Sequence, residues 1–171
     1  VWQRTQLPLR VFELGASAGL NLHFDRFRYR LGIFEWGDPR SPVLVHPRWV
    51  GNFLQAPASP FEVVEREGCD LAPIDVRDPQ QALTLCSYVW PDDRDRFDRL
   101  RAAIGIARAH PVTVTRDDAI DWLADKLAGM RPGAATLVYH SVFLQYLSPA
   151  ARAELEAMLD EAGRGARIGM P

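Results

Sequence analysis

The 171 residues are 47% hydrophobic, 25% charged and 10% aromatic, a balance that excludes disordered, collagenous and disulfide-scaffold chains and fits one globular domain over residues 1–171. The 20 lysines and arginines against 22 aspartates and glutamates leave a net charge of -2, so there is no global electrostatic pull toward nucleic acid. Cys69, Cys86 and four scattered histidines lack metal-ligand spacing, and no apolar run reaches the roughly 18–20 residues of a membrane span. A cytoplasmic protein without membrane or metal is expected.

Leu9–Leu14 (L-R-V-F-E-L) is a short, β-favouring apolar run ending at Gly15. Helical spacing of Leu20, Leu22, Phe24 and Phe27 follows, which predicts strand, tight turn, helix. From Arg26 to Trp36 the period becomes two, with Arg26, Arg28 and Arg30 alternating against Phe27, Tyr29 and Leu31. With the G-D-P-R-S-P turn at 37–42 before Val43-Leu44-Val45, the region of about 26–50 reads as an inserted antiparallel hairpin. Its alternation of arginine and aromatic residues also fits a single-stranded RNA platform, beside the simpler reading of a half-buried hairpin with a solvated basic face.

Residues 61–71 predict a further strand running into G-C-D-L-A-P, and 78–90 a helical region interrupted at Pro91. Phe97, Leu100, Ile104 and Ala107 then form an apolar helical stripe, with the surrounding aspartates and arginines on a solvated face. Residues 112–115 are β-branched and predict a strand. Asp117 or Asp118 caps the helix carrying Trp122 and Leu123, and Gly129 stops it. A buried strand follows at 135–139, then a helix capped by Ser148, opened by Pro149 and ended by Gly163. Residues 167–171 read as the opening of another strand, so the sequence is expected to be a fragment, incomplete at its C-terminus.

Alternating strands and helices predict an α/β fold with a doubly wound, mainly parallel sheet in which Leu9–Leu14 is central. In such sheets ligands bind beyond the carboxyl ends of the strands. Four positions qualify: Glu13 with the loop Gly15, Ala16, Ser17, Ala18, Gly19 after the first strand, Asp70 after the second, Asp117 and Asp118 after the third, and His140-Ser141 after the fourth. Two glycines around two alanines and a serine let a ligand approach the main chain closely.

The string E-L-G-A-S-A-G-L-N-L resembles the first motif of class I S-adenosylmethionine-dependent methyltransferases, with Ser17 where the middle glycine of G-x-G-x-G usually stands. Together with R-E-G-C-D-L-A-P-I-D-V, Y-V-W-P-D-D-R-D-R and Y-H-S-V-F-L-Q-Y-L it is similar, over nearly the whole chain, to a bacterial family of uncharacterised methyltransferase-like proteins. The resemblance implies a Rossmann-like fold with S-adenosylmethionine as cofactor. Glu13 and the loop of Gly15, Ala16, Ser17 and Gly19 would lie under the methionine moiety, with the next helix N-terminus near its carboxylate. Asp70, with Leu71 beside it, would accept the ribose hydroxyls, Asp75 being the reserve. Asp117 and Asp118 match the acidic position beside adenine, or serve only as caps.

His140 stands where such enzymes place acceptor-facing groups and can take a proton near neutrality. No residue identifies the methyl acceptor. The same five residues also satisfy G-x-S-x-G, the nucleophile elbow of serine hydrolases, for which Asp117 and His140 would complete the order Ser, Asp, His. Against a hydrolase, only residues 1–13 precede the loop. A nicotinamide-dependent oxidoreductase is disfavoured because Leu20 replaces the third glycine of G-x-G-x-x-G. A non-catalytic module that binds an S-adenosyl or nucleoside ligand is the remaining alternative.

Overall fold

A computed structural model describes residues 1, 5–47, 61–130 and 132–168. Its main sheet has four parallel strands, β1 (Leu9–Leu14), β5 (Val63–Asp70), β6 (Thr113–Arg116) and β7 (Ala135–His140), in the order β6-β5-β1-β7. β1 is therefore an inner strand between β5 and β7, as its near-continuous apolar run predicts for a strand covered on both faces. Leu9, Val11, Phe12 and Leu14 are at most 5% exposed. Register places Glu13 beside Gly68 of β5 and Tyr139 of β7, and Leu14 beside Cys69 and His140. β7 lies at the edge of this sheet, so Ala135–Tyr139 are half-buried rather than buried as predicted.

Both faces of the sheet are covered. Phe12, Leu14 and Cys69 pack against Trp122 and Leu123 of α3 (Ala119–Ala128) and Leu155 of α4 (Pro149–Ile168). On the other face Leu9 and Val11 pack against Leu22. Beside them Ala18 and Val76 meet Ile104 and Ala107 of α2 (Arg94–Ala109), which follows α1 (Pro79–Ser87). Side chains close the helix starts by accepting otherwise unpaired N–H groups. Asp78 accepts from Gln80 and Gln81, Asp93 from Arg96, Asp118 from Ile120, and Ser148 Oγ from Ala151. α4 continues through Gly163, where a helix end was expected, and residues 167–168 prolong it instead of opening a strand. An interior glycine costs a helix only about 1 kcal/mol relative to alanine and does not break it. Residues 169–171 lie outside the described residues.

The predicted helix after β1 is a seven-residue 3-10 segment, Leu20–Arg26, kinked at His23. Arg66 of β5 ties it to the sheet: Nη1 donates to the Leu22 carbonyl at 2.7 Å, and both terminal nitrogens pair with the Asp25 carboxylate at 2.6 and 2.8 Å. The segment leads into a small separate sheet of order β3-β2-β4, with β2 at Arg28–Leu31, β3 at Phe34–Gly37 and β4 at Leu44–Val45. β2 and β3 form the expected antiparallel hairpin, but its turn is Gly32-Ile33, with Gly32 at φ 64°. The proline-rich segment at 37–42 instead returns the chain so that β4 runs parallel to β2. Residues 48–50 of the expected hairpin region lie outside the described residues.

The structure gives the arginines and rings of this hairpin partners of their own, as in the simpler half-buried reading. Arg28 and Arg30 are both paired with Glu35, at 2.8 and 2.9 Å. Trp36 stacks on Phe61, and Phe61 on Phe24, so these rings are spent on one another.

Candidate functional site

The strands β1, β5 and β6 step outward in one direction, and β7 returns to the opposite side of β1. The order therefore reverses between β1 and β7, the place where loops leaving the carboxyl ends part and open a crevice. The loop after β1 begins here, and three of its residues adopt the left-handed backbone: Gly15 at φ 66°, Ser17 at 52° and Gly19 at 66°.

The loop is tied to β5 at several points. Ala16 N–H donates to the Cys69 carbonyl at 2.9 Å, and the Ser17 carbonyl accepts from Ile74 N–H at 3.1 Å. Asp70 supplies the tightest link. Its Oδ2 accepts from Ser17 N–H and its Oδ1 from Ala72 N–H, each at 2.8 Å. Asp117 N–H in turn donates to the Asp70 carbonyl at 3.2 Å. The glycine loop, Asp70 and Asp117 thus share one rim, with Leu71, 71% exposed, beside them. Asp75, the reserve for Asp70, lies beside the cleft on the β6 flank, and its carboxylate pairs with Arg77, which holds it below the usual carboxylate range.

The two neighbouring acids divide their labour. Asp118 Oδ1 caps α3 through Ile120 N–H, whereas Asp117, exposed, accepts from Asp118 N–H through its side chain. The glycines carry structural duties that the sequence did not show. A Cβ on Gly15 would lie 2.7 Å from the Phe143 ring, and one on Gly19 2.9 Å from Val114. Gly68 lets the loop rest on β5, since a Cβ there would sit 2.6 Å from that of Ala16. Close approach here is between parts of the protein itself. The 3-10 segment that follows, short and kinked, lacks the regular helix N-terminus that the motif resemblance implies.

Glu13 is the acid at the reversal point, 1% exposed. Burial pushes its carboxyl up to about 7, a rise moderated by the Asn21 amide, which donates to Oε1 at 2.9 Å, and by Tyr139, and aided by the charge of Asp70. Oε2 and the buried Tyr139 hydroxyl are polar neighbours across the β1–β7 register, an interaction that favours the Glu13 carboxylate and holds the Tyr139 proton in place. Asn21 also reaches Ser141 Oγ at 3.4 Å, linking the loops after β1 and β7. Sequence reasoning missed Asn21, Tyr139 and Ser141 as a group, because only the pairing of β1 with β7 brings them to Glu13.

His140, exposed, ends β7 and faces Phe143, with ring centroids 5.9 Å apart. Val142 follows at φ 52°, an uncommon conformation for a β-branched residue. A cleft of about 490 Å³ opens on the β6 flank of the loop, lined by Ala18, Ile74, Val76, Ala107, Val112 and Val114 among others. Among the described residues no hydrogen bond joins Ser17 Oγ to a histidine, and no helix is long and apolar enough to cross a membrane.

Fold and loop contacts define an α/β protein with a parallel four-stranded sheet and a glycine-containing loop at the carboxyl end of an inner strand. Residues 1–169 match the family described as an uncharacterized protein conserved in bacteria (DUF2332), and the chain belongs to that family. No curated protein and no solved structure matches it.

Proposed function

We propose that the chain is a Rossmann-like, S-adenosylmethionine-dependent methyltransferase acting on an acceptor that the sequence does not identify. The observation that carries this reading is the sharing of one rim by Glu13, the loop from Gly15 to Gly19, Asp70 and Asp117, each at the carboxyl end of a parallel strand or just beyond it. Bound there, S-adenosylmethionine supplies an activated methyl group that passes from its sulfonium to the acceptor.

The residues fit such a ligand in a particular way. Glu13, paired with the Asn21 amide near the end of β1, is the acid offered to the amino group of the methionine part. Each Asp70 oxygen takes one main-chain N–H and keeps lone-pair capacity for a ribose hydroxyl. Asp117, whose carboxylate caps no helix, is the better candidate for the base, and Asp118 the cap. His140 is the group offered to receive the acceptor's proton, although aligned approach of acceptor and sulfonium can supply much of the rate without a base.

Calorimetric titration with S-adenosylmethionine and S-adenosylhomocysteine tests the reading. Binding of both at one site per chain, weakened at least about tenfold by Asp117→Ala, is expected; absence of binding to either contradicts it. The left-handed φ of Ser17 favours a strained nucleophile and hence the hydrolase alternative. With no histidine joined to its hydroxyl among the described residues, an active-site serine probe is expected to leave Ser17 unlabelled. If the ligands bind and no methyl acceptor is ever turned over, the chain is a non-catalytic binding module.

A further inference from the structure

The segment that follows β7 turns its apolar side chains two ways. Phe143, Leu144 and Leu147 pack on the core cluster that holds Phe12, Trp122 and Leu155, whereas Val142 is 75% and Tyr146 76% exposed. Main-chain bonds hold this division in place. Tyr146 N–H donates to the Phe143 carbonyl at 3.0 Å and Leu147 N–H to the Leu144 carbonyl at 3.1 Å, and Arg152 Nη2 reaches that same Leu144 carbonyl at 2.7 Å. Val142 also sits in the left-handed region, at φ 52°. Glycine or asparagine would hold that turn with less strain than a β-branched residue, and an exposed valine returns little packing for it. Backbone strain of this kind gathers at functional sites.

The segment borders the loop after β1. The Phe143 ring occupies the space that a Cβ on Gly15 would need, Asn21 Nδ2 donates to Ser141 Oγ at 3.4 Å, and the exposed His140 ring lies against Phe143. Resting on the S-adenosyl reading of that loop, we propose that residues 140–146 form the acceptor surface and select a neutral, flat, apolar-bodied small molecule carrying one hydroxyl or amine. Val142 and Tyr146 hold its body, and His140 takes its proton. In the transfer a bond forms from the acceptor oxygen or nitrogen to the methyl carbon as the carbon–sulfur bond of the sulfonium breaks. The sulfur keeps that electron pair as a neutral thioether, and the acceptor's proton passes to the His140 imidazole.

The chemistry of the segment sets the class. In a chain that is 25% charged, residues 140–151 contain no Asp, Glu, Lys or Arg, and Arg152, next along, is bonded to the Leu144 carbonyl. A charged acceptor would give up hydration here without an ionic partner, whereas a neutral ring gains by covering the valine and stacking on the tyrosine. Val142 and Tyr146 suffice for one ring system and fall far short of the roughly 20–30 residues a side of a stable protein interface.

The probe is 2-naphthol, compared with its 6-sulfonate, which keeps the ring and adds a charge. S-adenosylhomocysteine binding is measured first, and amide chemical shifts are then followed as each naphthol is added to the saturated chain. Saturable shifts at residues 140–146 with 2-naphthol are expected, and binding of the sulfonate at least about tenfold weaker. Val142→Gly should weaken 2-naphthol at least about fivefold while leaving S-adenosylhomocysteine affinity unchanged and the melting temperature equal or higher. Tyr146→Ala should weaken 2-naphthol to a similar degree, so the test stands even if Val142→Gly folds poorly. S-adenosylhomocysteine binding without saturable 2-naphthol shifts at 140–146, or with the sulfonate held as tightly, overturns the acceptor surface alone. Unchanged 2-naphthol affinity in either folded variant does the same, as does a lowered melting temperature in Val142→Gly, which would assign the strained valine to the fold. No binding of S-adenosylhomocysteine overturns the S-adenosyl reading and the acceptor surface with it.

Discussion

Glu13 and His23 pull the pH dependence of stability in opposite directions. The Glu13 carboxyl is raised by burial to about 7 from 4.5, so between those values the folded state binds more protons than the unfolded one. Stability therefore falls as pH rises through this window and levels off above it, for a total of about 3 kcal/mol. His23 is lowered to about 4, first by burial and then by the charges of Arg66 and Arg26. Its contribution falls as pH drops from 6.5 toward 4. The two slopes nearly cancel between 4.5 and 6.5. Glu13→Gln removes one of them, so its stability relative to wild type should be greater at pH 8 than at pH 5, read from urea unfolding midpoints. Equal shifts at the two pH values would show that Glu13 ionises freely in the folded protein.

The adjacent acids after β6 separate in the same spirit. Asp118→Ala removes the cap on Ile120 N–H and should cost about 1 kcal/mol of stability while leaving S-adenosylhomocysteine affinity unchanged. Asp117→Ala should do the reverse, losing at least about 1.4 kcal/mol of binding, the equivalent of tenfold, with little change in melting temperature. Either residue could cap a helix by sequence, and only the hydrogen-bond pattern tells them apart.

At the scale of elements, the glycines show how a motif can be legible while its cause is not. The string G-A-S-A-G signals a loop of minimal bulk, but its neighbours Phe143 and Val114 come from distant parts of the chain. Gly15→Ala and Gly19→Ala combine a left-handed φ with a close Cβ contact and should each destabilise by more than about 1 kcal/mol. Gly105, inside α2 with nothing within 4 Å of an added Cβ, should behave oppositely. Gly105→Ala should stabilise by about 0.5–1 kcal/mol. Thermal melts of the three variants check both signs. A loss of ligand affinity in the Gly15 or Gly19 variants is thus interpretable only beside their stability.

In the main sheet β1 was readable because its apolar run and the Gly15 turn agree with its burial, whereas β7 is only half-buried at the sheet edge. The hairpin turn was not readable. Gly37-Asp38-Pro39 carries stronger turn chemistry than Leu31-Gly32-Ile33-Phe34, yet the latter closes the hairpin, since Leu31 pairs with Phe34 and Arg28 with Gly37. The 3-10 segment was likewise hidden, because the spacing of Leu20, Leu22 and Phe24 does not reveal that Arg66 takes the Leu22 carbonyl.

The whole molecule is organised around the reversal of strand order between β5-β1 and β7. That reversal brings residues distant in sequence, Glu13, Asn21, Tyr139 and Ser141, into one cluster, and it sets Asp70 and Asp117 on the neighbouring rim. The carboxyl-end positions were legible from the alternation of strands and helices, whereas the cluster at Glu13 required the register of β1 on β7. The family assignment covers residues 1–169 and says nothing of chemistry, so the claim that this rim binds an S-adenosyl ligand rests on the site itself.

The most direct measurement is a backbone amide chemical-shift map of the chain as S-adenosylhomocysteine is added. The account predicts the largest changes at residues 15–19, 70–72 and 117–118, with smaller ones at Tyr139 and Ser141. No perturbation at saturating ligand, or changes confined to residues 73–77 and 111–114 around the β6-side cleft, would contradict it.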